Sequence, residues 1–169
     1  LTFVGAGTQL IEEELKQLYP DTQVLRMDTD TVKAAGSHDV LLNKFKNEKI
    51  PIMVGTQMVT KGLNFENVTL IGVVSADQSL YCGDYRSGER TFSLITQVIG
   101  RSGRGSKPGR AIIQTFTPQN EIIRLAAQQD YESFFKTELS LRRLQDTPPF
   151  ADIIAITASG TVESTVIKC

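Results

Sequence analysis

Short, almost wholly apolar runs alternate with stretches in which apolar residues recur every three or four positions. Strands are expected at Leu1–Val4, Gln23–Met27, Ile50–Val54, Leu70–Val74 and Ala111–Phe116, and helices at Thr8–Leu18, His38–Asn47 and Gly88–Ile99. Ile50-Pro51-Ile52-Met53-Val54 and Leu70-Ile71-Gly72-Val73-Val74 have few polar positions, the pattern of strands covered on both faces. The expected fold is therefore α/β, a three-layer, mostly parallel sheet with helices on both sides. Thr8 is placed to cap the first helix, Glu12, Glu13 and Glu14 lie near its positive end, Ile11, Leu15 and Leu18 form its apolar stripe, and Pro20 stops it. Ser37 is a candidate cap for the second helix, with Leu41 and Phe45 inward, and Phe92, Ile95 and Ile99 share a face of the third. From Asn120 to Gln145 the pattern is helical with a break near Asp130, and Thr147-Pro148-Pro149-Phe150 reads as a boundary. Asp152–Ala158 reads as one more strand, so residues 1–147 form the expected main domain and 148–169 the start of a severed following one.

Composition narrows the chemistry. The 169 residues carry 18 basic and 19 acidic side chains, a net charge of −1, so binding to a polyanion has to come from a local patch. Two cysteines, Cys82 and Cys169, and one histidine, His38, are too few for a closed cysteine/histidine zinc site and suit a reducing, cytoplasmic setting. His38 lies in a polar lead-in to a helix, as surface histidines do. No apolar stretch approaches the roughly 20 residues of a membrane span, and the first residues lack the pattern of a signal peptide.

Four segments can carry chemistry. Gln97–Arg110 holds four basic residues, four glycines and no acid; Arg101 and Arg104 can present paired guanidinium forks to a polyanion, or the segment is a solvated basic turn. Gly55–Phe65 leaves a strand at the end where ligands bind in open parallel sheets, which favours Thr56, Lys61, Gly62 and Asn64, although an ordinary strand-to-helix turn fits too. Gly5-Ala6-Gly7-Thr8 can hold a phosphate on its amides or simply form a tight turn and cap. Asp77, in Ser75-Ala76-Asp77, can organise the arginines or bind a metal, or it is a salt-bridged strand end. A phosphate-binding G-x-x-x-x-G-K-[S/T] run, an Asp-Glu pair after a strand and a nucleophile elbow are all missing from the sequence, so the isolated chain is expected not to hydrolyse a nucleotide.

The order strand, G-T-Q-M-V-T-K-G-L-N-F, strand, amphipathic helix, Q-V-I-G-R-S-G-R resembles motifs V and VI of the superfamily 2 helicases, in their second RecA-like lobe. G-A-G-T-Q-L-I-E-E-E-L, L-R-M-D-T-D-T, D-Y-R-S-G-E-R-T-F and L-R-R-L-Q-D-T-P-P-F extend the resemblance along the chain, to the primosomal replication-restart helicases. That resemblance implies an ATP-dependent 3′-to-5′ DNA helicase that recognises stalled forks and restarts replication by primosome assembly. It implies ATP and Mg2+ in a cleft shared with a first lobe, Arg104 as arginine finger supported by Arg101 and Gln97, and Gly62 and Asn64 facing the nucleotide. Asn64 stands where many members have an acid. By the same resemblance Thr56, Gln57, Gly7 and Thr8 contact DNA phosphates, and the partners are forked and single-stranded DNA, loader proteins and single-stranded DNA-binding protein. The resemblance also implies zinc in the full-length protein, held by paired cysteines that are not among these residues. The alternatives are another superfamily 2 translocase, which would lack the D-Y-R-S-G-E-R-T-F and T-P-P-F segments, and a DNA- or partner-binding module without turnover.

Overall fold

The computed structural model describes residues 7–32, 37–57, 68–101, 108–154, 157 and 159. In chain order these form α1 (Thr8–Leu18), β1 (Val24–Met27), α2 (Ser37–Asn47), β2 (Ile52–Gly55), β3 (Leu70–Val73), α3 (Asp77–Leu80), α4 (Ser87–Ile99), β4 (Arg110–Ile113), α5 (Glu121–Gln128) and α6 (Tyr131–Leu144). The chain divides into two compact units, Leu1–Tyr131 and Glu132–Cys169.

The strands are parallel, as expected. Among the described residues they form two pairs, β1 with β2 and β3 with β4. Val24 stands opposite Ile52 and Met27 opposite Gly55; Leu70 stands opposite Arg110 and Val73 opposite Ile113. Cover on both faces does not hold for β3 and β4 within these residues. Leu70, Gly72 and Ile112 are exposed, while Ile71, Val73 and Ile113 are half-buried on the side where α4 packs. A run such as L-I-G-V reads alike whichever of its faces is covered, which is why the pattern alone overstated the burial.

Each helix makes local sense. In α1, Ile11 and Leu15 are half-buried but Leu18 is exposed, against expectation. Eleven helical residues run about 16 Å, whereas the four-residue strands under them run about 13 Å, so the last turn overhangs. Glu12 is held by Lys16 at 2.7 Å rather than by the helix end, whose first turn holds no acid. In α2, Leu41 and Phe45 are half-buried, and Leu42 beside them is the buried residue among those described. Lys49 takes φ 51° and the Ile50 N–H reaches back to the Phe45 carbonyl at 3.2 Å, closing the helix. The following strand begins at Ile52, after Pro51, which has no N–H to offer a ladder. Thr91, Phe92 and Ile95 of α4 are buried, packed beside α3 and against Ile123 and Ala126 of α5, and the Phe92 ring lies 6.2 Å from that of Tyr131.

Asn120 caps α5: its side-chain oxygen accepts the Ile122 N–H at 2.9 Å and the Ile123 N–H at 3.4 Å. Gln129, at φ 57°, ends that helix, which places the break where the pattern puts it, beside Asp130. In the second unit, Arg142 holds Glu138 Oε1 at 2.8 Å and the Pro148 carbonyl at 3.3 Å, and the Arg143 guanidinium lies 4.8 Å from the Phe150 ring. Thr147–Phe150 is thus folded back on α6. Asp152–Ile154 shows no regular secondary structure, so the expected strand over Asp152–Ala158 is not formed there; Ala155, Ile156 and Ala158 lie outside the described residues.

Replacing Asn120 with alanine should cost about 1 kcal/mol, since it removes a cap that serves two amides, while Asn120→Asp should retain most of it. Urea denaturation followed by circular dichroism measures both.

Candidate functional site

The carboxyl ends of β1 and β2 lie side by side, because Met27 pairs with Gly55. Asp28 follows β1 directly and is buried. Its Oδ1 accepts the N–H groups of Asp30 at 3.1 Å and Thr31 at 3.0 Å, and its own N–H donates to Thr31 Oγ1 at 2.8 Å. Oδ2 accepts the Thr8 hydroxyl at 2.5 Å, which ties the start of α1 to the end of β1. Arg26 Nε lies 3.3 Å from Asp28 Oδ2 and 3.5 Å from Glu12 Oε2, close enough for attraction although not aligned for a hydrogen bond. The Thr8 hydroxyl, with Thr31 and Arg26, outweighs burial and holds the Asp28 carboxyl below the usual range.

This geometry corrects the expectation for Thr8. It is the first helical residue rather than the cap; Gly7 is the cap and makes no side-chain bond. The one hydroxyl proton of Thr8 is given to Asp28, which leaves backbone amides as the donors of that turn. Gly7 has φ −60° and a Cβ there would meet nothing within 4 Å, so neither conformation nor space demands glycine. Thr56 and Gln57 continue from β2 and are exposed at the same end. Gly7, Thr8, Thr56 and Gln57 therefore belong to one strand-pair end, with Asp28 among them.

Gln97 and Arg101 sit elsewhere. Because β3 and β4 are parallel, α4 must carry the chain back to the start of β4, so its last turn lies toward the amino ends of that pair. Gln97, in the last turn of α4, is exposed, and Arg101, just past the Gly100 cap, is half-buried. The Gly100 and Arg101 N–H groups bond to the Thr96 and Val98 carbonyls at 3.0 Å, which fixes the helix end. Arg104, Lys61, Gly62 and Asn64 lie outside the described residues, as do Gly5 and Ala6.

Two acids matter more than their sequence context suggested. Among the described residues Asp77 neither meets an arginine nor forms a salt bridge. Its carboxylate accepts the hydroxyls of Thr115 at 2.9 Å and Thr117 at 2.7 Å and the Phe116 N–H at 2.9 Å. Burial pushes its pKa up, the neutral donors pull it down further, and the net direction is down. The same bonds explain why β4 stops at Ile113 instead of running to Phe116: Thr115–Thr117 bond to Asp77 instead of continuing the ladder. The alternation of threonines at 115 and 117 after a strand was the available signal. Asp84 was also missed, since the helix start was placed at Gly88. Its Oδ1 takes the Arg86 N–H at 3.0 Å, its carbonyl takes the Ser87 N–H at 2.9 Å, and Oδ2 holds Arg90 Nη1 at 2.7 Å. The Arg86 amide first, then Arg90 and Arg86, keep this carboxyl below its usual pKa against partial burial.

His38 is half-buried, with Nδ1 3.6 Å from Asp39, and Cys82 is exposed with its thiol directed to the Gln78 carbonyl at 2.9 Å. Among the described residues no group of three potential metal ligands occurs, and no helix is long and apolar enough to cross a membrane.

Residues 3–106 match the family described as the helicase conserved C-terminal domain, well over half of the chain. The chain belongs to that family. Within it, the chain is similar to the replication restart protein PriA of Bacillus subtilis, 49% identical over 159 residues, which is 94% of this chain and 20% of that protein. It is 44% identical over 168 residues to the PriA proteins of Synechocystis and of Chlamydia trachomatis, covering 99% of this chain and 20% and 22% of theirs. The chain thus spans about a fifth of the length of the curated relatives it matches. In this helicase C-terminal domain, the strand-pair end at Asp28 and the end of α4 at Arg101 are the two places where the described motif residues gather.

Removing the Asp77 carboxylate leaves three donors without their acceptor, so Asp77→Ala should lose about 2–3 kcal/mol in urea denaturation. Because its folded pKa is depressed, the contribution is complete above about pH 4 and disappears as the pH falls through the lower folded value. The wild type should therefore lose stability as the pH falls below about 4 with a steeper slope than Asp77→Ala.

Proposed function

We propose that this chain is the second RecA-like lobe of an ATP-dependent 3′-to-5′ DNA helicase that recognises stalled replication forks and restarts replication by primosome assembly. One observation carries the reading: the residues expected to grip DNA gather at the carboxyl ends of β1 and β2, whereas Gln97 and Arg101 lie at the return end of α4, toward the amino ends of its strand pair. A motor that couples hydrolysis to movement needs a nucleotide face and a nucleic-acid face that are distinct yet joined through one rigid body. Similarity to the replication restart protein PriA supports the assignment to fork restart. In this reading the lobe extends through residue 147 and residues 148–169 begin a following domain.

ATP sits between this lobe and a first lobe, which supplies the phosphate loop and the carboxylates that hold Mg2+. Arg101 fits a role at that face, being half-buried just past a fixed helix end, with Gln97 in the last turn before it. Arg104 acts as the arginine finger, with Arg101 and Gln97 in support, and Gly62 and Asn64 face the nucleotide. A finger of this kind raises turnover by about 10³–10⁵-fold, because its charge is aimed at the transferring phosphoryl group. On the other face, Thr56 and Gln57 hold DNA phosphates through side chains, while Gly7 and Thr8 offer amides, Thr8 having given its hydroxyl to Asp28. Such contacts read no sequence, as a translocating motor requires. Forked and single-stranded DNA, loader proteins and single-stranded DNA-binding protein are the partners in this reading. Zinc in the full-length protein draws its ligands from outside this chain.

In the full-length protein, Arg104→Ala should lower DNA-stimulated ATP hydrolysis on a forked substrate by about a hundredfold or more while nucleotide and fork binding persist, with a smaller loss for Arg101→Ala. Unchanged turnover in Arg104→Ala would remove the finger and leave the basic loop to DNA contact.

A further inference from the structure

We infer that Tyr81 and Phe116 form a stacking platform for the bases of single-stranded DNA at the carboxyl end of the β3–β4 pair. The inference rests on the reading of this chain as a DNA-gripping lobe and adds a base-contacting site to the phosphate contacts at Thr56 and Gly7-Thr8.

Phe116 is 76% exposed and Tyr81 is 63% exposed. A single exposed aromatic residue means little. Here, however, the two come from segments 35 residues apart and are brought to one place by a bond from the Tyr81 phenol to Thr117 Oγ1 at 3.4 Å. Thr117 has its own proton on Asp77, so it is the acceptor for Tyr81. The exposure of Phe116 is enforced rather than incidental. The residues on either side, Thr115 and Thr117, both turn their hydroxyls to the buried Asp77 carboxylate, and the Phe116 N–H is bonded there as well. Past the end of β4, these bonds fix the main chain on both sides of Phe116 and leave its ring in solvent. The bonds that tie the two strand exits together thus also hold the Phe116 ring in solvent.

The occupant follows from chemistry. Flat rings at the end of a parallel strand pair offer π-faces on which any base stacks, in a place where open α/β folds bind ligands. Cations come just after Tyr81 in the chain. The Arg86 guanidinium lies 5.1 Å from the Tyr85 ring centre on an exposed residue, and Arg90 follows one turn into α4. Asp84 is engaged by Arg90 and the Arg86 amide, and the Asp77 charge is buried beneath neutral donors, so the acids here are already held. The arrangement suits bases on the rings and a phosphate chain toward Arg86, with no reading of sequence.

The test uses the full-length protein, fluorescence anisotropy, and two labelled strands of equal length, an oligo-dT and one whose central nucleotides are abasic. Tyr81→Ala and Phe116→Ala should each weaken oligo-dT binding by about tenfold, within the range of one lost base stack, and should bind the abasic strand as the wild type does. Tyr81→Phe keeps the ring and should stay near wild type on both. Wild-type affinity of both alanine variants for oligo-dT would overturn the platform and turn the exposed rings over to a protein contact. Equal losses on oligo-dT and abasic DNA would also overturn it, since bases would not be what the rings hold. Failure of the unaltered protein to bind single-stranded DNA would instead defeat the underlying reading, and the platform with it.

Discussion

The first unit is organised by a carboxylate that meets no cation among the described residues. Asp77 opens α3 just after β3, and its bonds to Thr115, Phe116 and Thr117 join the exit of β3 to the exit of β4. The Ala76 N–H adds a bond to the Gln114 carbonyl at 3.1 Å, so the two exits are linked by main chain as well. From there the connection passes into α4. Thr91, which is fully buried, lies 2.8 Å from the Ser87 carbonyl and 3.1 Å from Ser79 Oγ in α3, and its proton serves one of them at a time. Asp84 secures the first turn of the same helix. The end of α4, where Arg101 stands, is thus the far end of a body whose other end is fixed to the strand exits. Neutral donors suit such a junction, because they satisfy the buried charge without the desolvation of a second ion that a buried salt bridge would require.

Parallel pairing has a consequence for function. Two parallel strands must be joined by a crossover that returns the chain, so every helix in such a unit has one end at the carboxyl side of the strands and the other at the amino side. Residues placed just after a strand and residues placed just after a helix are therefore sorted to opposite ends by topology alone. Thr56 and Gln57 follow β2, and Tyr81 and Phe116 follow the exits of β3 and β4; Arg101 follows α4. In the proposed reading, the separation of a nucleic-acid end from a nucleotide end needs no special device beyond this connection.

Much of the framework was legible because periodicity reports burial. The order from α1 to β4 apart from the short α3, the amphipathic α4 with Phe92 and Ile95, and the helix break beside Asp130 all follow from it, while the strand expected at Leu1–Val4 lies outside the described residues. What it missed depends on partners far away in sequence. Nothing local distinguishes a Thr8 that caps its own helix from one that gives its proton to Asp28, twenty residues on. Nothing local tells Asp77 that its donors lie near position 116, or Leu18 that the strands end before it does. The candidate site divides in the same way. Gly-rich and basic segments can be seen as such in one dimension, and the family resemblance on motifs V and VI agrees with the match over residues 3–106. The partners of Asp28, Asp77 and Asp84, the acids that tie strand and helix ends together, are visible only once the chain is folded.

Asp28 and Asp77 solve the same problem at the ends of different strands. Each stands just past a strand exit, where backbone amides and hydroxyls converge and an anion is welcome, and each fills that place with the chain's own carboxylate. In both, hydrogen bonds overcome burial and keep the group ionised, so the anion-binding capacity of these turns is already occupied. A phosphate chain approaching this face meets few open cationic pockets among the described residues. With a net charge of −1, the chain offers hydroxyls and side-chain amides such as those of Thr56 and Gln57 in their place, and aromatic faces at Tyr81 and Phe116. A grip built from neutral donors and π-surfaces releases fewer counterions and holds each phosphate less tightly than a lysine- and arginine-lined groove. If the lobe works as the proposed motor, letting go of the strand at every step, moderate contacts distributed over two strand exits suit it better than a few strong ones.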